Sequence, residues 1–423
     1  MANLTTTELN KTVKETFDAV IQESFADNMP TLKRFKRSVP TEDITSIGRY
    51  FAIQVQSNES YGSQSSEGGA FPAAGKLVDV KALVNYRSQF ASFAFTGDVE
   101  DLANKKTLQN MFTRIVQDTQ KTFDRTQAFF LFGSGDGVLG QIDSVSSNAI
   151  TMLNSVTYPY GARPINAGML LNAYDVSGTA YRSGDMTVNS VTRATDIVNV
   201  DTAAGSIASD DDDVLVYKSS YNYAPQALKY HVNDDTGTWL GLSRSTYPNL
   251  KAVVHDAASA SVDFDMIELA DLKSRNITGD DAPKFGKLLI MHPVQHKNLR
   301  SIARSAGNVQ FNAALGGNAK MDLLVKDVAP AGQEIIEDSN CGPSDIWGLR
   351  LDDWAIEEVA PRQLYKHGDG NILIQQIASS TAYGDAKEGR VYWRYNYVCK
   401  APFRQYRIKN VNFNAAETRI NRM

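Results

Sequence analysis

Leu131-Phe-Gly-Ser-Gly-Asp-Gly-Val-Leu-Gly140 closes a helical pattern that starts at about Val99 and runs to Phe132 without Gly or Pro. Leu108, Met111, Phe112, Ile115, Val116, Thr119 and Phe123 keep the 3.6-residue period of one buried face. At 1.5 Å per residue such a helix would run about 50 Å. Asp98, Glu100 and Asp101 stand at its start, where negative charge suits the helix dipole. Phe129, Phe130 and Phe132 end it in an aromatic cluster. The glycines that follow read as a helix stop, because Gly takes the left-handed conformation without steric cost. Gly135, Gly137 and Gly140 also match the G-x-G-x-x-G spacing of dinucleotide-binding turns. That turn must follow a strand and open a helix; here it follows a helix and leads into strands, so no cofactor is expected.

Upstream, Arg49 to Gln56 alternates, with Phe51, Ile53 and Val55 on one face. Residues 57–76 are rich in Ser, Gly, Gln and Ala and read as a soft loop. Val78, Val80, Ala82, Val84 and Tyr86 form one face of a return strand, which the run Phe90 to Phe95 continues. The result is a projecting hairpin. Two lone strands are marginal in water, so this one is expected to bury little on its own chain and to rest on a partner chain. At the N-terminus Leu9, Val13, Phe17, Val20, Ile21 and Phe25 mark an amphipathic helix ended by Pro30. Lys33-Arg34-Phe35-Lys36-Arg37 follows. Its four charges could meet a phosphate backbone, but a solvated turn or a link to acids on a neighbouring chain is the simpler reading.

Downstream, six short β-like runs fill about 80 residues: Gln141–Val145, Ala149–Leu153, Met169–Tyr174, Met186–Thr192, Asp196–Val200 and Val214–Tyr217. They suggest a small barrel or sandwich. Helices are expected over Asp263–Asn276, with Phe264, Ile267, Leu269, Ala270 and Leu272 apolar, and over Pro293–Ala303. Strands are expected over Gly286–Met291, Met321–Val325, Asp345–Leu349 and Gly370–Ile377, and over a last, aromatic run from Val391 to Ile408. The mixture is α+β, with no regular βαβ alternation.

The chain has 423 residues, which suggests about three domains. Its net charge of −5 lacks the basic excess of a sequence-specific nucleic-acid binder. No run approaches the roughly 20 apolar residues needed to span a bilayer, and Met1 to Lys11 has no secretory signal. Cys341 and Cys399 have neither a disulfide framework nor metal-ligand spacing, which suits synthesis in a reducing cytoplasm.

Catalytic signals are weak. His292 and His296 are spaced i, i+4, but Pro293 stands where a zinc protease carries its Glu, so no metal is expected. His231, His255 and His367 are isolated. Asp352-Asp353 and Glu357-Glu358 are neighbours in sequence and cannot face each other across a cleft. Asp210 to Asp213 lacks the alternation of a calcium loop. No catalytic, cofactor-binding or metal-binding residue is assigned, and no enzyme activity is expected.

The ordered parts (N-arm, hairpin, long helix, glycine turn, mixed domain) resemble the major capsid proteins of tailed bacteriophages, the Hong Kong 97-type fold. The local likeness lies in Leu131 to Gly140, in Phe285-Gly-Lys-Leu-Leu-Ile-Met-His-Pro-Val-Gln-His-Lys-Asn-Leu299, and in Arg407-Ile-Lys-Asn-Val411. The resemblance implies an N-terminal arm over 1–43, an extended E-loop over 44–97, and a peripheral domain with its spine helix over 98–140. Residues 226–261 and 388–423 would complete the peripheral domain, and 262–387 would form the axial domain. Residues 141–225, an inserted β module, depart from the minimal fold.

The resemblance further implies hexameric and pentameric capsomers of this chain that enclose a double-stranded DNA genome. It implies a separate scaffolding protein and a portal, leaves room for a cement protein, and implies only non-specific contact with the packaged DNA. The location would be the virion capsid, after synthesis in the host bacterial cytoplasm. Some relatives join an E-loop lysine covalently to a neighbour's asparagine; Lys76 and Lys81 are the candidates here, with no partner matched. The rival readings are an encapsulin-like compartment of the same fold and, from another class, a β-rich hydrolase or binding module.

Overall fold

A computed structural model describes residues 30–39, 48–63, 73–96, 105–175, 184–201, 213–279, 287–305, 333–366, 371–379 and 382–419. The expected N-terminal helix, residues 64–72 of the hairpin tip, Asp210 to Asp212, Met321–Val325 and His367 lie outside them.

The basic cluster forms a 3-10 turn, Leu32–Arg34, and a short strand β1 (Lys36–Ser38). Phe35 is buried edge-on against Trp354 and Tyr397. Two of its basic residues meet acids of the same chain: Arg34 meets Glu334 at 2.5 Å, and Lys36 meets Asp352 at 3.0 Å. β2 (Gly48–Gln56) and β3 (Val78–Asn85) pair antiparallel as the expected hairpin, with Phe51 opposite Ala82 and Ile53 opposite Val80. Two expectations about it are corrected. The return strand is not continuous: it breaks at Tyr86, and β4 (Arg87–Thr96) joins a different sheet. Nor does the hairpin stand free of its own chain, because Ala82 and Val84 are buried with Trp239, Leu240, Leu250 and Val398.

The long helix α1 is described from Lys105 to Phe130. Its 26 residues span about 39 Å. It packs along β4, placing Val116 against Phe93 and Val391. Its end serves two cores. Phe130 enters the following β module, whereas Leu131 and Phe132 enter the body. The helix stops with backbone bonds from Phe132 N to Phe129 O and from Gly133 N to Phe130 O. Positive φ falls later, at Gly135 (93°) and Gly137 (77°), so these glycines shape the turn into the next strand rather than cap the helix. A Cβ on Gly137 would lie 2.5 Å from the Ser220 carbonyl.

The module is a closed six-stranded barrel: β5 (Val138–Ser146), β6 (Ala149–Met152), β7 (Leu170–Tyr174), β8 (Met186–Thr192), β9 (Ile197–Val200) and β10 (Val214–Tyr217), in the order β10-β5-β6-β9-β8-β7. Closure explains how such short strands hold together, because no unpaired edge remains. Its interior is Leu139, Ile142, Ile150, Leu171, Val188, Val198 and Leu215 with their neighbours.

After the barrel come a one-turn helix α2 (Leu228–His231) and a two-residue ribbon, β11 (Thr238–Trp239) with β12 (Leu242–Ser243). The C-terminal elements are β13 (Val253–Asp256), α3 (Phe264–Thr278), β14 (Leu288–Met291), α4 (Pro293–Ser305), β15 (Glu334–Glu337), β16 (Ile346–Leu349), β17 (Trp354–Leu364), β18 (Leu373–Ser379), β19 (Ala382–Cys399), β20 (Tyr406–Lys409) and a one-turn helix α5 (Ala415–Thr418). One five-stranded sheet runs β13-β20-β16-β14-β15. In the other, β19 carries β17 and then β18 along one edge and β4 along the opposite edge. The expected single aromatic run Val391–Ile408 is thus two strands in two sheets. Pro402, which has no N–H for a ladder, starts the 3-10 turn between them. In α3, Ile267 and Ala270 are buried, but Leu269 and Leu272 face solvent, against the expected apolar face.

Gly348 in β16 lies under the buried ring of Tyr406, which occupies the place a side chain would take. A Cβ there would meet the ring at 2.1 Å. Gly348→Ala is therefore expected to destabilise the subunit by about 1–3 kcal/mol, read from urea unfolding of the soluble chain.

Candidate functional site

The residues with the best chemical credentials are dispersed. His292 immediately precedes α4 and its Nε2 accepts from Arg163 of the barrel at 2.7 Å. His296 lies within α4 and pairs through Nδ1 with Glu337. Among the described residues, no three metal-ligating side chains come together. His231 is fully buried; its Nδ1 accepts from Trp239 Nε1 and its Nε2 donates to the Tyr397 carbonyl, both at 2.9 Å. The proton on Nε2 satisfies the neutral ring, and burial pushes its pKa down to about 3. His292 is also pushed down to about 3, by burial and then by the Arg163 charge. The exposed surroundings of His255 hold Lys273 at 3.5 Å, too long for a strong bond.

The adjacent carboxylates separate as a strand period of two requires. Glu357 points to one side of β17 and joins Arg49 and Tyr86. Glu358 points to the other and accepts from Trp393 Nε1 at 2.8 Å. Asp352 is exposed beside Lys36, while Asp353 accepts from Gln405 at 3.1 Å. Both cysteines are buried and unbridged, and burial raises both thiols, so neither is an activated nucleophile.

A cavity of about 210 Å³ lies beside the glycine turn, between Ser134, Asp136, Tyr160, Lys229 and Asp345. The turn's polar groups are spent internally. Asp136 accepts from Ser134 Oγ at 2.6 Å and from Val138 N at 3.1 Å. A carboxylate therefore occupies the place where a dinucleotide turn would present free N–H groups to phosphate.

What the surface does offer is apolar area on projecting elements. Tyr61 at the hairpin is 96% exposed and Leu77 54%. Leu269, Leu272 and Ile277 line the outer side of α3, and Phe90 stacks on Tyr392 on an open sheet face. Lys76 and Lys81 are exposed on the hairpin. No described helix is long and apolar enough to cross a membrane. Sequence reasoning found the hairpin through its alternation. It missed β17, and with it the Glu357 contacts, because the run Glu357-Glu-Val-Ala-Pro-Arg362 has no clean alternation.

The solved structure of the cyanophage A-1(L) capsid asymmetric unit aligns with 91% of this chain and 93% of its own, at 13% identity and a TM-score of 0.51. This chain has a phage-capsid fold. The capsid of a native GTA particle (11% identity, 92% and 91% coverage, TM-score 0.42) and a Gordonia phage Cozz structure (10%, 90% and 85%, 0.42) align over similar spans but superpose too loosely to bear on the fold. No family model and no curated protein sequence matches the chain. The expectation of an α+β, Hong Kong 97-type capsid fold holds, and the capsid fold here carries a closed barrel between its long helix and its C-terminal sheets.

The two neutral histidines set a pH dependence. Their ordinary value of 6.5 falls to about 3 in the folded chain. Below 6.5 the unfolded chain takes up protons that the folded chain refuses. Stability is therefore full above about pH 6.5 and is lost as pH falls towards 3, by about 1.4 kcal/mol per pH unit for each histidine. Melting temperatures from pH 8 to pH 4 should show the loss, and His292→Gln should make it shallower.

Proposed function

We propose that this chain is the structural subunit of a tailed-phage shell, assembling as hexamers and pentamers around double-stranded DNA. The observation that carries the reading is the likeness of nearly the whole chain to a subunit of an assembled capsid. On this reading residues 1–43 are the N-terminal arm and 44–97 the E-loop. Residues 98–140, 226–261 and 388–423 form the peripheral domain, 262–387 the axial domain, and 141–225 an inserted module. A scaffolding protein, a portal and a cement protein would be its partners in the virion, and the chain itself would catalyse nothing.

Physical chemistry supports the reading in two ways. A shell closes through many modest contacts, each made easier by those already formed. The projecting hairpin and the outer side of α3 supply apolar surface that a lone subunit leaves wet. A mildly acidic chain also holds packaged DNA only loosely, which a container must do if it is to release its contents.

Electron microscopy of the protein made with and without its neighbouring genes tests this directly. Closed shells containing nucleic acid, read from the 260/280 nm absorbance ratio, are expected. Shells filled with protein would favour an enzyme-cargo compartment, and monomers under every condition would overturn the shell reading. Deleting residues 57–76 should abolish closed shells while the subunit keeps its circular dichroism spectrum. Boiled denaturing gels of mature particles that show only monomer would exclude a covalent cross-link through Lys76 or Lys81.

A further inference from the structure

At its C-terminal end the hairpin joins the body through a single residue. β3 ends at Asn85, β4 begins at Arg87, and the two strands belong to different sheets. Tyr86 between them is the joint. Both sides of the joint are gripped from the large sheet. Asn396 Nδ2 of β19 donates to the Asn85 carbonyl at 2.8 Å. Tyr86 OH lies 3.5 Å from Glu357 Oε2 of β17, a long and weak contact. The other oxygen of Glu357 accepts from Arg49 in β2. Glu357 is 2% exposed and Arg49 28%, so this pair is shielded from the screening that weakens surface bridges.

We propose that Glu357 is a positioning residue that fixes the direction in which the β2–β3 hairpin projects, by holding Arg49 of the hairpin next to the Tyr86 joint. The apolar contacts of Ala82 and Val84 with Trp239 and Leu250 at the hairpin base are non-directional, and between them Leu83 N donates to the Leu240 carbonyl at 2.9 Å. The charge-assisted bond between Arg49 and Glu357 is directional, so it selects one angle. The latch is also adjustable. Burial disfavours the charged form of Glu357 more than Arg49 and Lys400 favour it, so its carboxyl is raised above the ordinary value. Opening the joint would rehydrate that carboxylate and recover part of the lost contact. A hairpin held in this way is stable in one direction yet able to take another, as subunits in five-fold and six-fold surroundings require. This last step rests on the shell reading; the latch itself does not.

Hydrogen exchange on the full-length chain, with particle diameters from electron microscopy, tests it. In Arg49→Ala, protection over 48–56 and 78–85 should fall about tenfold, while the barrel strands between 138 and 217 keep theirs. Arg49→Lys, which restores a charge partner, should recover most of that protection. Particles of Arg49→Ala should be mixed in diameter or fail to close, and those of Arg49→Lys should match the parent. Unchanged hairpin protection in Arg49→Ala overturns the latch, and so does equal loss in hairpin and barrel. A loosened hairpin with particles of uniform parental diameter overturns its role in direction. If the parent forms no shells at all, the shell reading fails, and the exchange data still judge the latch.

Discussion

The aromatic face of β19 holds the body together. Trp393, Tyr395 and Tyr397 recur every second residue and are fully buried. Trp393 stacks on Tyr395 with ring centroids 3.6 Å apart, and Tyr395 meets Tyr397 edge-on. Onto this face pack Phe35 from the N-terminal turn, Phe123 from α1, Leu228 from α2 and Trp354 from β17. Large rings bury much area from a single strand, and their polar tips must find partners. Trp393 finds Glu358, and the His231 ring is fixed by the Tyr397 carbonyl and Trp239. The Trp393–Glu358 bond thus ties β19 to β17 at one defined position, which apolar contact alone would not fix.

The barrel is a second unit with its own interior, yet it is bolted to the body at several places. Phe130 of α1 plugs its core, and Thr126 of the same helix bonds the Tyr217 hydroxyl at 3.0 Å. Arg163 reaches His292 ahead of α4. Arg419, near the end of the described chain, donates to Asp196 at 2.8 Å, and Asp196 also accepts from Ala162 N and Asn154. One buried carboxylate thus joins a barrel turn to the C-terminal segment. These contacts tie the barrel to the long helix, to the start of α4 and to the C-terminal segment.

The hairpin obeys the opposite logic. Ala82 and Val84 at its base are fully buried, Phe51 and Ile53 pack on the same cluster at partial exposure, and Tyr61 and Leu77 beyond them are exposed. The direction of the hairpin must then be set by a few specific contacts at the joint, which is the task assigned to Arg49, Tyr86 and Glu357.

Much of this was legible in the sequence. The 3.6-residue period exposed the long helix. Period-two alternation exposed the hairpin, and turn residues at short intervals marked the six barrel strands to within a few residues. These are local properties, set by which side chains can share a face. The break at Tyr86, the division of Val391–Ile408 between two sheets and the outward turn of Leu269 and Leu272 were not legible. Each depends on which distant strand offers a partner, and local periodicity carries no record of that. The same holds for Glu357. Its sequence neighbourhood carries no signal, and only the fold brings a residue 308 positions away, Arg49, onto its carboxylate. Periodicity determined the elements; tertiary pairing decided which of them meet, because burial and hydrogen bonding are satisfied between segments far apart in the chain.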